Sequence, residues 1–554
     1  MKKVLIIGGM AAGCKSAARL SRLSNEFDIT IIEKSSFLSY GTCGMPFYAS
    51  GDVDDFFDLA KTPYGLIRNE EYFLDVKNVK TILNTAVLAI NTETKSVHCK
   101  NLQNNDELNL DYDYLVIATG ATPVLPQFPF PDSEKISFFH NPLDAKKFRE
   151  KAQRGEIEKV AIIGAGLIGC ELAEAMVSLW GIETYLIERE NRLLPKIFDN
   201  DFAEFTSKLF SNQRINLELS SSVERIEIDK KQNLIIHLSN GKAVGCNYAF
   251  ICLGVKPNVE LARAIGVNIG NFGGILVNEK LQTNIADVYA AGDCTQLNNL
   301  ITKKQDYFPL GSLANRQGKV LADNIFGIDS KFQGAVGTCS IKVFNQIFAS
   351  SGLTEERSKQ FDYNVASVVI SSYDRPDYHP DVNDLISKLI YDRSTYKILG
   401  LQMTGSGEVT RYIDSFSVFC QNGAGLYDLL EFEHSYTPTH SSPLNPLNNL
   451  ASIALMQEEN NLICFPANLL NKFSGVIIDL REQAEIQAEP LPVHAIEISI
   501  TNIRDKINEF DKREEILLIC QRGPRSFEVG CYFMQNGFKN VFYLGGGVHL
   551  LNDK

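Results

Sequence analysis

Two stretches of the chain carry the same alternation of apolar and small residues. Residues 3–13 read KVLIIGGMAAG and residues 159–169 read KVAIIGAGLIG, offset by 156. Each apolar run is short, continuous and rich in β-branched residues, which predicts a parallel strand buried on both faces. A glycine turn follows each run, then a helical pattern, SAARLSRL or ELAEAMVSLW. Each copy then reaches a second strand that ends in an acid: ITIIEK with Glu33, TYLIERE with Glu188. Further short strands enter glycine turns at YLVIATGATP (114–123), AFICLGVKPN (249–258) and DVYAAGD (287–293). From 330 to 455 the pattern changes to IKVFNQIFASSGL, a hairpin in KLIYDRSTYKILGLQMTG, and a helix in EVTRYIDSFSVFCQNGAG. A mixed stretch, 456–474, separates this from a last α/β unit. That unit holds strands at GVIIDLREQAEI and EEILLICQRGPRS, a helix at FEVGCYFMQNG and a final strand at VFYLGGGVHLL.

Length and composition narrow the field. At 554 residues the chain has room for three or four domains. Hydrophobic residues are 44% and charged residues 22%, ordinary values for a globular protein. The net charge of −13, without basic clusters, argues against nucleic acid as a partner. No apolar run reaches the ~20 residues of a membrane span. The apolar N-terminus runs into a glycine turn and a helix with no cleavage site, so it reads as a first strand rather than a signal peptide. A cytoplasmic location follows as the expectation. None of the twelve cysteines forms a C-x-x-C pair, and no metal site is expected.

The repeat carries chemistry. Gly164, Gly166 and Gly169 fit G-x-G-x-x-G, and the first copy reads Gly8-Gly9-Met10-Ala11-Ala12-Gly13, with Met10 at the middle glycine position. Such glycines permit a tight turn and close approach of backbone amides to a pyrophosphate at a helix N-terminus. An acid 20 residues after Gly13 and 19 after Gly169 accepts hydrogen bonds from ribose hydroxyls. Two copies, both with the acid, point to two dinucleotides. Gly292 and Asp293 end DVYAAGD, where a carboxylate can hold a polyol such as a ribityl chain. Lys34, Gly120, Gly254 and Asn315 complete the expected cofactor contacts. Together these features resemble the flavin-dependent pyridine nucleotide-disulfide oxidoreductases over about the first 450 residues. The resemblance implies a discontinuous FAD-binding domain (1–120 and 248–327) and an NAD(P)H-binding domain (121–247). It also implies an α+β dimerisation domain (328–455) and hence a homodimer. Residues 456–474 are expected to be a linker. Glu188 would bind a ribose 2′-hydroxyl and repel a 2′-phosphate, which favours NADH over NADPH, although Arg189 follows it.

Cys43 lies in SYGTCGMPFY, and the residue five positions on is Tyr48, so the C-x-x-x-x-C of glutathione-type reductases is missing. A single redox cysteine is implied, whose oxidised form is a mixed disulfide, persulfide or sulfenate. The loop from Ser39 to Pro46 resembles the active-site loop of coenzyme A-disulfide reductases and their NADH-dependent persulfide reductase relatives. By that resemblance Lys15, Arg19 and Arg22 on the first helix, with Ser39, Thr42 and Lys77, contact coenzyme A. Tyr378, before His379-Pro380, and Tyr436, in SYTPTHSSP, match tyrosines that reach the other subunit's cysteine in that family. The chain departs from the pattern at Thr42, at Leu444 and in a longer stretch at 56–75.

Residues 475–554 resemble a rhodanese domain, with Cys520-Gln521-Arg522-Gly523-Pro524-Arg525 as its loop between strand and helix. Backbone amides there favour a thiolate and then a persulfide on Cys520, and Arg525 matches the family's loop arginine. Pro524 brings no N–H. The resulting expectation is an α/β flavoprotein that reduces persulfides or polysulfides, coenzyme A persulfide among them, through Cys43, while Cys520 handles sulfane sulfur. Coenzyme A-disulfide reduction with an accessory rhodanese domain, and a flavoprotein redox sensor with little turnover, stand as alternatives. An NADH oxidase reading gives Cys520 no role.

Overall fold

A computed structural model describes residues 1–551 and divides the chain into two compact units. The first comprises Met1–Gly164, Ala175–Glu183 and Val223–Ala335. At its centre is a parallel sheet in which the first strand, Lys2–Ile7, lies between Phe27–Ile32 and Tyr114–Ile117. Lys80–Ile82 and Val288–Ala290 form its edges. Val4 to Ile7 are all buried, as an uninterrupted apolar run requires. The helix Ala11–Leu23 follows with a face of small residues, and Gly318 of the helix Gly311–Phe326 packs against it. A Cβ at Gly318 would stand 2.6 Å from the Ala12 carbonyl oxygen, so only glycine permits this approach. The two expected domain crossings meet as an antiparallel ribbon, Ala121–Pro123 against Val255–Pro257, pinned by Asn258 and Thr119. Within this unit Lys159–Ile163 pairs in parallel with Tyr248–Ile251.

The second unit comprises Ala165–Glu174, Thr184–Ser222 and the chain from Val336 onward. Here Glu183–Ile187 pairs in parallel with Ile215–Glu218. A five-stranded antiparallel sheet runs in the order Cys339–Val343, Gln346–Gly352, Ile398–Gly405, Asp384–Asp392, Val365–Tyr373. Lys388 is buried in it, and Asp199, Asp201 and Glu355 surround its ammonium. This cluster fastens residues 199–201 to the sheet. Glu355 also pairs with Lys359, but removing the Lys388 ammonium would leave buried Asp199 and Asp201 without it, a change of a kind that costs about 3–5 kcal/mol.

The C-terminal sheet is parallel, ordered Ile463–Phe465, Asn540–Leu544, Glu515–Ile519, Val476–Asp479, Ile496–Glu497. Its first strand lies inside 456–474, the stretch expected to be a linker. That stretch instead completes the helix Pro446–Asn460, supplies the edge strand, and adds a 3-10 turn over Ala467–Lys472. Leu462, Ala467 and Leu470 are buried, which is why it does not behave as a tether. The strand Val365–Tyr373, at the edge of the antiparallel sheet, continues its hydrogen bonding into the C-terminal domain. Gly546 N–H donates to the Val369 carbonyl (3.0 Å), Ser371 N–H to the Arg522 carbonyl (3.1 Å), and Ser371 Oγ to the Gly546 carbonyl (2.7 Å).

Candidate functional site

The two glycine turns are built alike. Gly8 (φ +111°) and Gly164 (φ +104°) occupy the left-handed region, and a Cβ on them would meet the carbonyls of Ala118 at 2.1 Å and Cys252 at 2.5 Å. Gly9 N–H donates to Glu33 Oε2 and Ala165 N–H to Glu188 Oε2, both at 2.7 Å. Both predicted acids therefore stand at the mouth of their turns. Two cysteines at the repeat offset, Cys14 and Cys170, direct their thiols at the carbonyls of Gly9 and Ala165. Their place is structural: burial pushes the Cys14 thiol far up. Met10 stands at the N-cap of the first helix with φ −98°, outside the left-handed region that would demand glycine.

The ribityl-type acid joins the first turn. Gly292 (φ +86°) packs with its Cα side 3.1 Å, at an added Cβ, from the Ala12 side chain, and its N–H donates to Gln317 (2.7 Å). Burial raises Asp293 to about 6. A glycine cradle that a Cβ would fill, amides at a helix N-terminus and a half-buried acid beside them fit the pyrophosphate and polyol of a dinucleotide. Gly13 closes the turn, since a Cβ there would overlap the Gly8 carbonyl oxygen. Ala11 lies in the first turn of the helix; Lys34 and Asn315 are exposed, and Gly120 and Gly254 take positive φ.

Cys43 is exposed in a 3-10 turn, Thr42–Gly44, that runs into the short helix Met45–Ser50. Its loop is tied to the first glycine turn by Ser39 N–H to the Gly9 carbonyl (2.8 Å). On its other side Gly41 N–H donates to the Leu59 carbonyl (2.7 Å), and Gly44 packs on the Leu59 side chain. The aromatic rings of Phe37, Tyr40, Tyr48 and Phe56 support it from below. The sequence's long 56–75 stretch thus backs the cysteine loop. Of the basic residues expected on this side, Arg22 is exposed, Lys15 lies by Gly318, and Arg19 is held by Asp323 at 2.7 Å. Lys77 ends the helix Glu70–Lys77 with its ammonium over the Tyr72 ring.

In the second unit Tyr378 and Tyr436 come together. Desolvation, then the charge and hydrogen bond of Tyr436, raise the Tyr378 hydroxyl. Arg375 ties their two segments, pairing with Asp374 and donating to the Thr439 carbonyl (2.9 Å). Cys520 is buried at the end of Glu515–Ile519. The N–H groups of Gly523 (3.1 Å) and Ser526 (3.4 Å) point at its sulfur, and the Ser526 hydroxyl lies 3.4 Å away. The helix Pro524–Gln535 begins there, with Pro524 in its first turn where a missing N–H is harmless. Arg525 is held by Glu485 through two bonds (2.8 and 2.5 Å), which, with the charge and hydrogen bond of Cys520, raises its pKa. A cavity of about 330 Å³ lies between the Cys520 loop and the tyrosine-bearing segments, lined by Tyr373, Arg375, Leu444, Arg522 and Pro524 among others.

Glu171, in the helix Leu167–Ser178, is a titratable group that sequence reasoning passed over. Burial, with the charge of Glu174, raises it to about 7. Its folded pKa lies above the unfolded value, so its stabilising contribution is full below about pH 4.5 and is lost as pH rises through 7. Glu171→Gln removes that dependence. Wild type is expected to lose about 3 kcal/mol relative to the variant between pH 4.5 and 8, read from melting curves across pH.

Among the described residues no cluster of His, Cys, Asp and Glu could hold a metal, and no helix is long and apolar enough to cross a membrane. Residues 2–318 match the model of the pyridine nucleotide-disulphide oxidoreductases, residues 338–446 that of their dimerisation domain, and residues 467–553 that of the rhodanese-like domain. The chain is similar to the NAD(P)H sulfur oxidoreductase (CoA-dependent) of Pyrococcus furiosus, 32% identical over 82% of this chain and 99% of that one. It also resembles the structure of an NAD-dependent persulfide reductase from A. fulgidus (33% identity, TM-score 0.92, 99% and 100% of the two chains). The reduced CoADR-RHD of Bacillus anthracis is similar too (28%, TM-score 0.91, 99% and 97%).

Proposed function

From its membership of the pyridine nucleotide-disulphide oxidoreductases, to which this chain belongs, we propose that it reduces persulfides, coenzyme A persulfide among them, at the expense of NADH. Its cofactors are FAD and NAD(P)H. FAD would lie on Gly8, Gly9, Gly13, Glu33 and Asp293; the pyridine nucleotide would lie on Gly164, Gly166, Gly169 and Glu188. Bound there, the flavin would supply the electron pair that NADH gives up. The observation that carries the reading is a pair of dissimilar sulfur sites in one chain: an exposed lone Cys43, and Cys520 in a cradle of amides.

The Cys43 thiolate attacks the inner sulfur of R–S–SH. A Cys43–S–SR bond forms, the S–S bond of the persulfide breaks, and HS⁻ leaves. Two electrons then cleave the mixed disulfide, returning the Cys43 thiolate and RS⁻. Tyr378 and Tyr436 of the partner subunit donate hydrogen bonds to the leaving sulfur, a role that suits a Tyr378 hydroxyl that keeps its proton. Cys520 takes sulfane sulfur from a donor and passes it to the coenzyme A thiol. The cavity against its loop supports that traffic. Lys15, Arg22, Lys77, Ser39 and Thr42 hold coenzyme A near Cys43, with Arg19 anchoring the helix through Asp323.

The test is anaerobic NADH oxidation with sulfide measured in the same cuvette, coenzyme A persulfide set beside coenzyme A disulfide. One sulfide per NADH with the persulfide, and a slow disulfide reaction, is expected. Fast disulfide reduction without sulfide would leave a thiol-redox enzyme, and oxidation that stops after about one equivalent of NADH would leave a sensor.

A further inference from the structure

The Cys520 loop is gripped from two sides, and only the inner side belongs to the cradle. On the outer side Arg522 leaves the loop. Its Nη2 lies 2.6 Å from Asp384 Oδ1, and its Cζ sits 4.0 Å over the centre of the Tyr373 ring. Tyr373 and Asp384 face each other as the last register pair of the strands Val365–Tyr373 and Asp384–Asp392. The guanidinium therefore caps that pair of strands, using both its plane and its fork. The Arg522 carbonyl accepts from Ser371 N–H (3.1 Å) on the same edge. Behind it, Val548 N–H donates to the Cys520 carbonyl and His549 N–H to the Gln521 carbonyl, both at 3.0 Å, while His549 Nε2 stands 3.9 Å from Asp384 Oδ2.

Sequence position makes this grip matter. Arg522 immediately precedes Gly523, whose amide is the shorter of the two N–H contacts to sulfur, and Gly523 holds φ +110°. The Gly523 N–H lies in one planar peptide with the Arg522 carbonyl, so its direction is set by where residue 522 is fixed. Arg525 hydrogen-bonds the sulfur from the other side, while the Arg522 guanidinium is turned to Asp384 and Tyr373.

We propose that Arg522 is a positioning residue for sulfur transfer: clamped on Asp384 and Tyr373 of the adjoining sheet, it holds the Cys520 loop so that the Gly523 and Ser526 amides converge on the sulfur. The inference rests on the reading that Cys520 carries sulfane sulfur. In that step the Cys520 thiolate attacks the outer sulfur of a donor, a Cys520 S–S bond forms, the donor's sulfur–sulfur bond breaks, and the donor leaves as its anion. Both the thiolate and the product persulfide anion are stabilised by the same two amides.

The experiment uses the full chain with thiosulfate as donor and cyanide as acceptor, thiocyanate being measured. In parallel, iodoacetamide alkylation of Cys520 is followed by mass across pH in a Cys43→Ser background. Arg522→Ala is expected to lower kcat about tenfold with KM for thiosulfate little changed, and to raise the alkylation midpoint by about one pH unit. Asp384→Asn should do the same, and the double variant should be no worse than either single one, because both remove one interaction. Arg522→Lys, which keeps the charge but loses the fork, should recover only part. An unchanged kcat and midpoint in Arg522→Ala, or losses that simply add in the double variant, would overturn the proposal. If wild type forms no thiocyanate, the sulfur-carrying reading of Cys520 falls. The alkylation midpoint still decides the clamp: a shift upholds it and no shift overturns it. Should Arg522→Ala fold poorly by its melting curve, Asp384→Asn and Arg522→Lys carry the same comparison.

Discussion

Serine in place of Cys43 is expected to cut persulfide-dependent NADH oxidation by about a thousandfold or more, and sulfide release with it. A serine hydroxyl stays protonated at neutral pH and cannot exchange with sulfur, so the mixed disulfide has no route to form. The residue itself supports so large an effect. It is exposed in a 3-10 turn between two glycines, while the other cysteines of its unit are buried or half-buried, most of them with thiols pushed well up by burial. None of them is a substitute nucleophile. The flavin in the variant should still be reduced by NADH in a single anaerobic mixing, because the glycine turns, Glu33 and Glu188 are untouched. A variant that kept full turnover would remove Cys43 from the reaction.

The second large effect falls on the other sulfur site. Cys520→Ser should abolish thiocyanate formation from thiosulfate and cyanide, while NADH oxidation with preformed coenzyme A persulfide should continue. The oxygen of serine would still receive the amides of Gly523 and Ser526, so the loop should keep its shape; what disappears is the atom that carries sulfane sulfur. Cys531 cannot take over. It sits inside the following helix, buried, and burial raises its thiol. Sulfur transfer that survived the substitution would assign it to another residue. Loss of both activities together would mean that preformed persulfide must also pass through Cys520.

The parts of this molecule that could be read in advance are those whose partners lie close along the chain. Continuous apolar runs, a glycine turn and an acid about 20 residues on are local signals, and both units fold as strand, glycine turn and helix as they predicted; the 2.7 Å bonds that Glu33 and Glu188 accept from the Gly9 and Ala165 amides were not among the expectations. The Cys520 loop was legible for the same reason: strand, loop and helix N-terminus are consecutive. The stretch 456–474 was misread because its composition is mixed; Leu462 is buried in a core shared with Ile478, Phe533 and Val541, and the turn Ala467–Lys472 packs on the turn Asn200–Phe202, all distant in sequence. Contacts between distant positions were out of reach. Arg522 and Asp384 are 138 residues apart, Arg19 and Asp323 are 304 apart, and Lys388 gathers carboxylates from 199, 201 and 355.

The bonds between Val365–Tyr373 and the C-terminal domain have a practical side. That strand ends its sheet, and the C-terminal domain is what covers its open side at Val369 and Ser371. A chain cut after Asn460 would present this bare edge, carrying Val368, Val369 and Ile370, to solvent. Uncovered strand edges recruit further strands from other molecules. Expression of the shortened flavoprotein alone should therefore yield aggregates, and a lysine at Val369 or a proline at Ser371 should restore its solubility. The last domain thus covers a strand edge that would otherwise be open to pairing, quite apart from any sulfur it carries.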